Sequence, residues 1–188
     1  MENNRTFARK CLSVGLMALL AFLPLVTAGC NADQVVSGLQ TADAVAQSAA
    51  SILAPVNSPM AAVLSKVDVD LQTVVKAYKD YDSALPAEKA TKADLVRATV
   101  GTIKGNLAAI LADVGVKTPG LLRDINIAVA VVNSALIITL SKVNGTTAQA
   151  AMVGGGPDLP IIVGAKSAKD LKKAWNDAIT ADFPRAKI

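Results

Sequence analysis

The chain has 188 residues, 52% of them hydrophobic but only 3% aromatic, with 34 alanines, a size that fits one ordinary domain. Histidine is absent and the only cysteines are Cys11 and Cys30, so zinc clusters, thiolate–imidazole pairs and Ser-His-Asp chemistry lack their parts. The formal charge of +4 shrinks if the first 29 residues are removed: three of the 19 basic and one of the 15 acidic residues go with them, leaving 16 against 14. A near-neutral domain with interspersed signs offers nucleic acid no basic face.

Met1 to Lys10 is basic and is followed by an apolar run from Cys11 to Val26, broken only by Pro24, and then by the small-residue segment Thr27-Ala28-Gly29-Cys30. A charged start, a short apolar core and a small-residue exit are the layout of a secretory signal, and the apolar run is short for a membrane span. The segment resembles the lipobox of a bacterial lipoprotein precursor. That resemblance implies cleavage between Gly29 and Cys30, a diacylglycerol on the Cys30 sulfur and acylation of the new amino group. The chain is then expected to be exported and held at the membrane of the cell envelope, facing the periplasm or the exterior. A small-x-small cleavage before Gly29 is the competing route, and it leaves Cys30 as a lone thiol in an oxidising compartment. Two or three acyl chains on one residue hold durably, whereas one binds marginally.

From residue 33 onward, four stretches repeat apolar residues at alternating steps of three and four, which keeps one stripe on one side of a helix. The spacing predicts helices over about 33–54 (Val35, Leu39, Ala42, Ala46, Ala49, Leu53), 59–82 (Met60, Leu64, Val67, Leu71, Val74, Tyr78, Tyr81), 84–114 (Val96, Val100, Ile103, Leu107, Ile110, Val114) and 119–143 (Leu122, Ile125, Val129, Val132, Leu136, Leu140, Val143). Ser58-Pro59 and Thr118-Pro119 each place a capping hydroxyl before a proline at the first helical position, and Ser83 with Pro86 is a looser version. The breaks are short, so neighbours are expected to run antiparallel in an all-α, up-down-up-down four-helix bundle. Residues 145–166, with Gly154-Gly155-Gly156, read as a Gly-rich loop. Ser167 and Asp170 form a capping box that opens a short amphipathic helix over about 167–182, with Leu171, Trp175, Ala178 and Ile179 on its apolar face. Residues 1–29 are thus a removable signal and residues 30–188 one helical domain.

Few residues suggest chemistry. The glycine run lacks the preceding strand and following Lys-Ser/Thr of a phosphate loop, and Pro157 removes an amide where donors are wanted. Gly101, Gly105 and Ala109 form a small-xxx-small row on the third helix, expected to let a neighbour pack closely inside the domain. The fourth helix has one charge, Asp124, between Arg123 and Lys142. A central place in the bundle explains that as well as a membrane span does, and Asn126, Asn133, Ser134 and Thr139 oppose insertion. Asn126 and Asn133, seven apart, are either register-fixing core amides or a polar handle in a ligand cavity. Lys166, Lys169, Lys172 and Lys173 beside Trp175 are candidates for contact with a membrane surface, against the ordinary alternative of a docked terminal helix with solvated lysines. The aspartate pairs Asp68/Asp70 and Asp80/Asp82 lie two apart and do not share a helix face, so no catalytic constellation emerges. No metal site and no cofactor is expected.

The sequence therefore points to a non-enzymatic, lipid-anchored helical lipoprotein with a structural or protein-binding role. The partners implied are the membrane, through Cys30, and an envelope protein. The second reading is a helical carrier that holds an apolar small molecule in its core.

Overall fold

A computed structural model describes residues 32–112, 119–147, 159–179 and 187–188. Among them are five helices and no strand: α1 (Ala32–Leu53), α2 (Ser58–Asp82), α3 (Lys89–Ala112), α4 (Pro119–Asn144) and α5 (Ala168–Ile179). The described part of the protein is all-helical. α1 packs on α2, α4 and α5; α3 packs on α2 and, less extensively, on α4; and α5 lies against both α1 and α4.

The apolar stripes form one shared core. Leu39, Leu53, Leu64, Leu71, Ile103, Leu107 and Leu136 are fully buried, as are Leu171, Trp175 and Ile179 of α5. Fully burying a leucine or isoleucine side chain contributes roughly 1.5–3 kcal/mol, so the stripes are the main source of cohesion. α4 goes further than its single stripe. Every residue from Ala128 to Thr139 is buried, because α1, α3, α5 and the stretch from Leu159 to Ala165 enclose it. α3 and α4 are both long and apolar enough to cross a membrane by length and composition, yet 78% of the apolar window of α4 is buried inside the bundle against 28% for α3.

Polar bonds join elements far apart in sequence. At one end, the Tyr81 hydroxyl donates to the Val143 carbonyl at 3.4 Å and Arg97 Nε donates to Asn144 Oδ1 at 2.9 Å. There too the Lys89 ammonium lies 5.2 Å from the centre of the Tyr81 ring, a cation–π distance. On the α2–α3 contact, Asn106 Nδ2 donates to Asp70 Oδ2 at 3.2 Å.

Two boundaries differ from expectation. Asn57, rather than Ser58, caps α2: its side-chain oxygen accepts from the Met60 amide at 3.1 Å, which moves Ser58 and Pro59 into the first turn. α3 begins at Lys89 and not near Ala84, because Leu85–Glu88 forms a separate turn in which the Leu85 carbonyl accepts from the Glu88 and Lys89 amides. The capping box of α5 is present, with the Asp170 amide donating to Ser167 Oγ at 3.3 Å and the Ser167 amide to Asp170 Oδ2 at 3.0 Å. These bonds hold the Asp170 carboxyl below the usual aspartate range, the Lys166 amide foremost. The expected Val114, Thr118 and Gly154–Gly156 lie outside the described residues.

Candidate functional site

The α1–α2 seam carries an arrangement that no spacing within a single helix discloses. Asp43 follows the buried Ala42 and Asp68 follows the buried Val67, each at the flank of its apolar stripe. Each helix also places a glutamine one turn beyond its acid, Gln47 after Asp43 and Gln72 after Asp68, on the same helical face. Gln47 Nε2 reaches across the seam to Asp68 Oδ1 at 3.0 Å, and Gln72 Nε2 donates to the same oxygen at 3.3 Å. The two carboxyls lie within hydrogen-bonding reach of each other. Asp43 Oδ1 is buried and accepts no hydrogen bond from any described residue.

The surroundings separate the two acids. Burial, then the hydrogen bond to Asp68 and the charge of Asp68, push the Asp43 carboxyl up to about 7, with Gln72 acting weakly in the other direction. Burial also works to raise Asp68, but the hydrogen bonds from Asp43, Gln47 and Gln72 together outweigh it and hold Asp68 below the ordinary aspartate value. Two like-charged groups in one partly dry place take their protons in separate steps. Near neutral pH the pair therefore carries about one proton, which it can release or take up. Beside it runs an open groove of about 440 Å³ between α1 and α2, floored by Ala50, Ala54, Ala61 and Ala62 and ending at Gln47 and Asp68.

The residues singled out from the sequence fall in several places. Cys30 lies outside the described residues. Asn126 and Asn133 do not share a cavity, although they lie on one side of α4. Asn133 is buried and its Nδ2 donates to the carbonyls of Leu159 (3.4 Å) and Pro160 (3.1 Å). Asn126 is exposed, at the rim of a cavity of about 120 Å³ lined by Met60, Ile110, Leu111, Leu122 and Ile125. Next to Asn133, Ser134 Oγ accepts from the Ile162 amide at 2.8 Å, so consecutive polar residues of α4 fasten the stretch around Leu159–Ile162.

Trp175 requires a correction as a membrane-surface contact. Its side chain is 0% exposed, because the apolar face of α5 is turned into the seam between α1 and α4. Lys166, Lys169, Lys172 and Lys173 are exposed on the outside without the indole, and Lys173 is bonded to Asp177. The small-residue row of α3 also differs from expectation. Gly101, Gly105 and Ala109 are exposed, and a Cβ added at either glycine meets no heavy atom within 4 Å, so the row makes no close internal contact. Thr91, Leu95, Ala98, Thr102, Gly105 and Ala109 instead form an uncharged outer stripe on α3, of which only Thr102 bonds back to its own helix and Leu95 is 51% exposed.

Among the described residues no three His, Cys, Asp or Glu side chains come together as metal ligands. Comparison with protein-family models, with curated proteins and with solved structures finds no match to this chain.

The acid pair was not visible by inspecting carboxylates within one helix, because its members are 25 residues apart in different helices. The available signal was the repeated Asp-x-x-x-Gln pattern at the stripe flank of two consecutive helices.

Proposed function

We propose that the protein is an exported, lipid-anchored helical bundle of the bacterial cell envelope, fastened through Cys30, that acts through its surface in a structural or protein-binding role. The observation that carries the surface role is the filled interior: all five helices spend their apolar stripes on one core, and Trp175 closes the contact between α1 and α4. The anchor itself is supported by the lipobox-like Thr27-Ala28-Gly29-Cys30. α1 is already helical at Ala32, so an acylated Cys30 would set the bundle directly on the headgroups. The up-down-up-down order belongs to the same reading. It is supported by Tyr81 meeting Val143 at one end and by Met60, Ile110 and Leu122 sharing a cavity at the other.

Labelling the native host with a radioactive fatty acid tests the anchor. Label on the wild-type chain and none on Cys30→Ser is the expected result; label retained by the serine variant removes Cys30 from the account. Mass spectrometry of the mature N-terminus separates lipoprotein processing from cleavage before Gly29.

The carrier reading draws on one feature, the apolar cavity with Asn126 at its rim. Its volume of about 120 Å³ is below the roughly 300–1,000 Å³ of ordinary ligand pockets. Native mass spectrometry of the purified chain is expected to show the polypeptide without a bound small molecule. A stoichiometric apolar ligand lost on Leu122→Trp would establish the carrier instead.

A further inference from the structure

We propose that Asp43 and Asp68 form a proton-operated latch on the α1–α2 seam: one proton shared between the carboxyls keeps the seam closed, and its loss to solvent sets two negative charges against each other and loosens it. Hydrogen-bond accounting carries the argument. Gln47 and Gln72 both donate to one oxygen, Asp68 Oδ1, and the help that Gln72 gives the Asp43 carboxyl is the smallest influence on it, while Asp43 Oδ1 is buried without a donor. A carboxylate left so would be buried with an unmet acceptor, which is costly. A protonated acid supplies its own donor, and the facing carboxyl is the acceptor within reach.

Among the described residues no opposite charge acts on Asp43 to compensate when the proton leaves. On α2 the ionisable group that acts on Asp43 is Asp68, and the other influence from that helix is the neutral Gln72. The other helices packed on α1 are α4 and α5, and none of their ionisable groups acts on Asp43. Those of α4 are Arg123, Asp124 and Lys142; those of α5 are Lys169, Asp170, Lys172, Lys173 and Asp177. Arg123 is paired with Asp124 and Lys173 with Asp177.

The seam is a natural place for such a device. Beside the pair the groove is lined by Ala50, Ala54, Ala61 and Ala62, whose short side chains add less apolar cohesion than a leucine would, so a repulsion there has less to overcome. The alanine-floored groove begins at Gln47 and Asp68, so loosening the seam changes the shape of that groove and makes it answer to ambient pH. The latch rests on geometry within α1 and α2 and is independent of the anchor.

Carbon-detected NMR of the full chain, following the Asp43 and Asp68 carboxyls, and hydrogen exchange of the α1 and α2 amides at pH 5 and pH 8 test it together. The expected results are an Asp43 midpoint near neutrality and, after correction for intrinsic exchange, a roughly tenfold loss of protection at pH 8, the equivalent of one unit of differential titration. Asp43→Asn supplies an amide donor in place of the proton and should keep pH 5 protection at pH 8. Asp68→Asn should bring the Asp43 midpoint down. An Asp43 midpoint in the ordinary aspartate range in the wild type, or equal loss of protection in wild type and Asp43→Asn, overturns the proposal; the wild-type titration decides even if a variant folds poorly.

Discussion

Asn133, on the enclosed helix α4, donates its side-chain amide to the carbonyl of Pro160 at 3.1 Å, across 27 residues of chain. With the Leu159 carbonyl also in reach at 3.4 Å and Ser134 accepting from Ile162, this bond lets an irregular stretch lie over an apolar helix with its backbone groups satisfied. Buried backbone groups must find partners, and here the helix that needs covering provides them.

Replacing Asn133 by alanine should therefore cost stability out of proportion to the atoms removed. Leaving two covered carbonyls without their donor is worth about 1–3 kcal/mol, or several degrees in melting temperature for a chain of this size. Thermal unfolding by circular dichroism measures it, and a melting temperature equal to the wild type would show that the stretch is not held by this amide.

Gly101→Ala and Gly105→Ala should each stabilise the protein. Both glycines are in the interior of α3, and an added Cβ meets nothing within 4 Å. Removing backbone freedom from the unfolded chain at such positions is worth roughly 0.4–1 kcal/mol each. A fall in denaturation midpoint for either variant would indicate a close helix contact on that face.

Trp175→Ala should be the most damaging single change on α5. The indole is fully buried beside Leu171 and Ile179, and emptying such a site typically costs about 3–5 kcal/mol. Urea unfolding should show a large loss of midpoint, whereas Lys172→Ala, on the exposed face, should change it by less than about 0.5 kcal/mol. Equal effects would mean that α5 is docked by something other than its apolar face.

Stability should decline as pH rises through the range set by Asp43. Its folded value of about 7 lies above the ordinary aspartate value of 3.8, so the folded state binds the extra proton between those limits, and each step up in pH favours unfolding. The lowered value of Asp68 acts oppositely, adding stability as pH climbs toward the ordinary aspartate range and none beyond it. The melting temperature should thus peak at about pH 4 and fall by a few degrees toward pH 8, the loss being about 1–2 kcal/mol because solvent screens a half-exposed group. A melting temperature that is flat or rising from pH 5 to pH 8 contradicts this.

Apolar spacing along the chain was enough to read the helical class, the five helical segments and most of the buried residues, from Val35 and Leu39 to Leu171 and Trp175. A stripe at steps of three and four is a local property: each helix declares its own inward side before any partner is known. Capping was legible for the same reason where the residues are adjacent, as with Ser167 and Asp170. It slipped by one residue at Asn57 because asparagine and serine compete equally for the cap.

The sequence did not show that Gly101, Gly105 and Ala109 meet no neighbouring helix, that the face of Trp175 docks between α1 and α4 rather than on another surface, or that Asp43 meets Asp68. Each depends on the rotation and register of one helix against another. A shift of one residue turns a helical side chain by about 100°, enough to part the two carboxyls or hide the glycines. One-dimensional pattern decides what must be covered, whereas the packed arrangement decides what covers it and which polar groups are left facing each other across the seam.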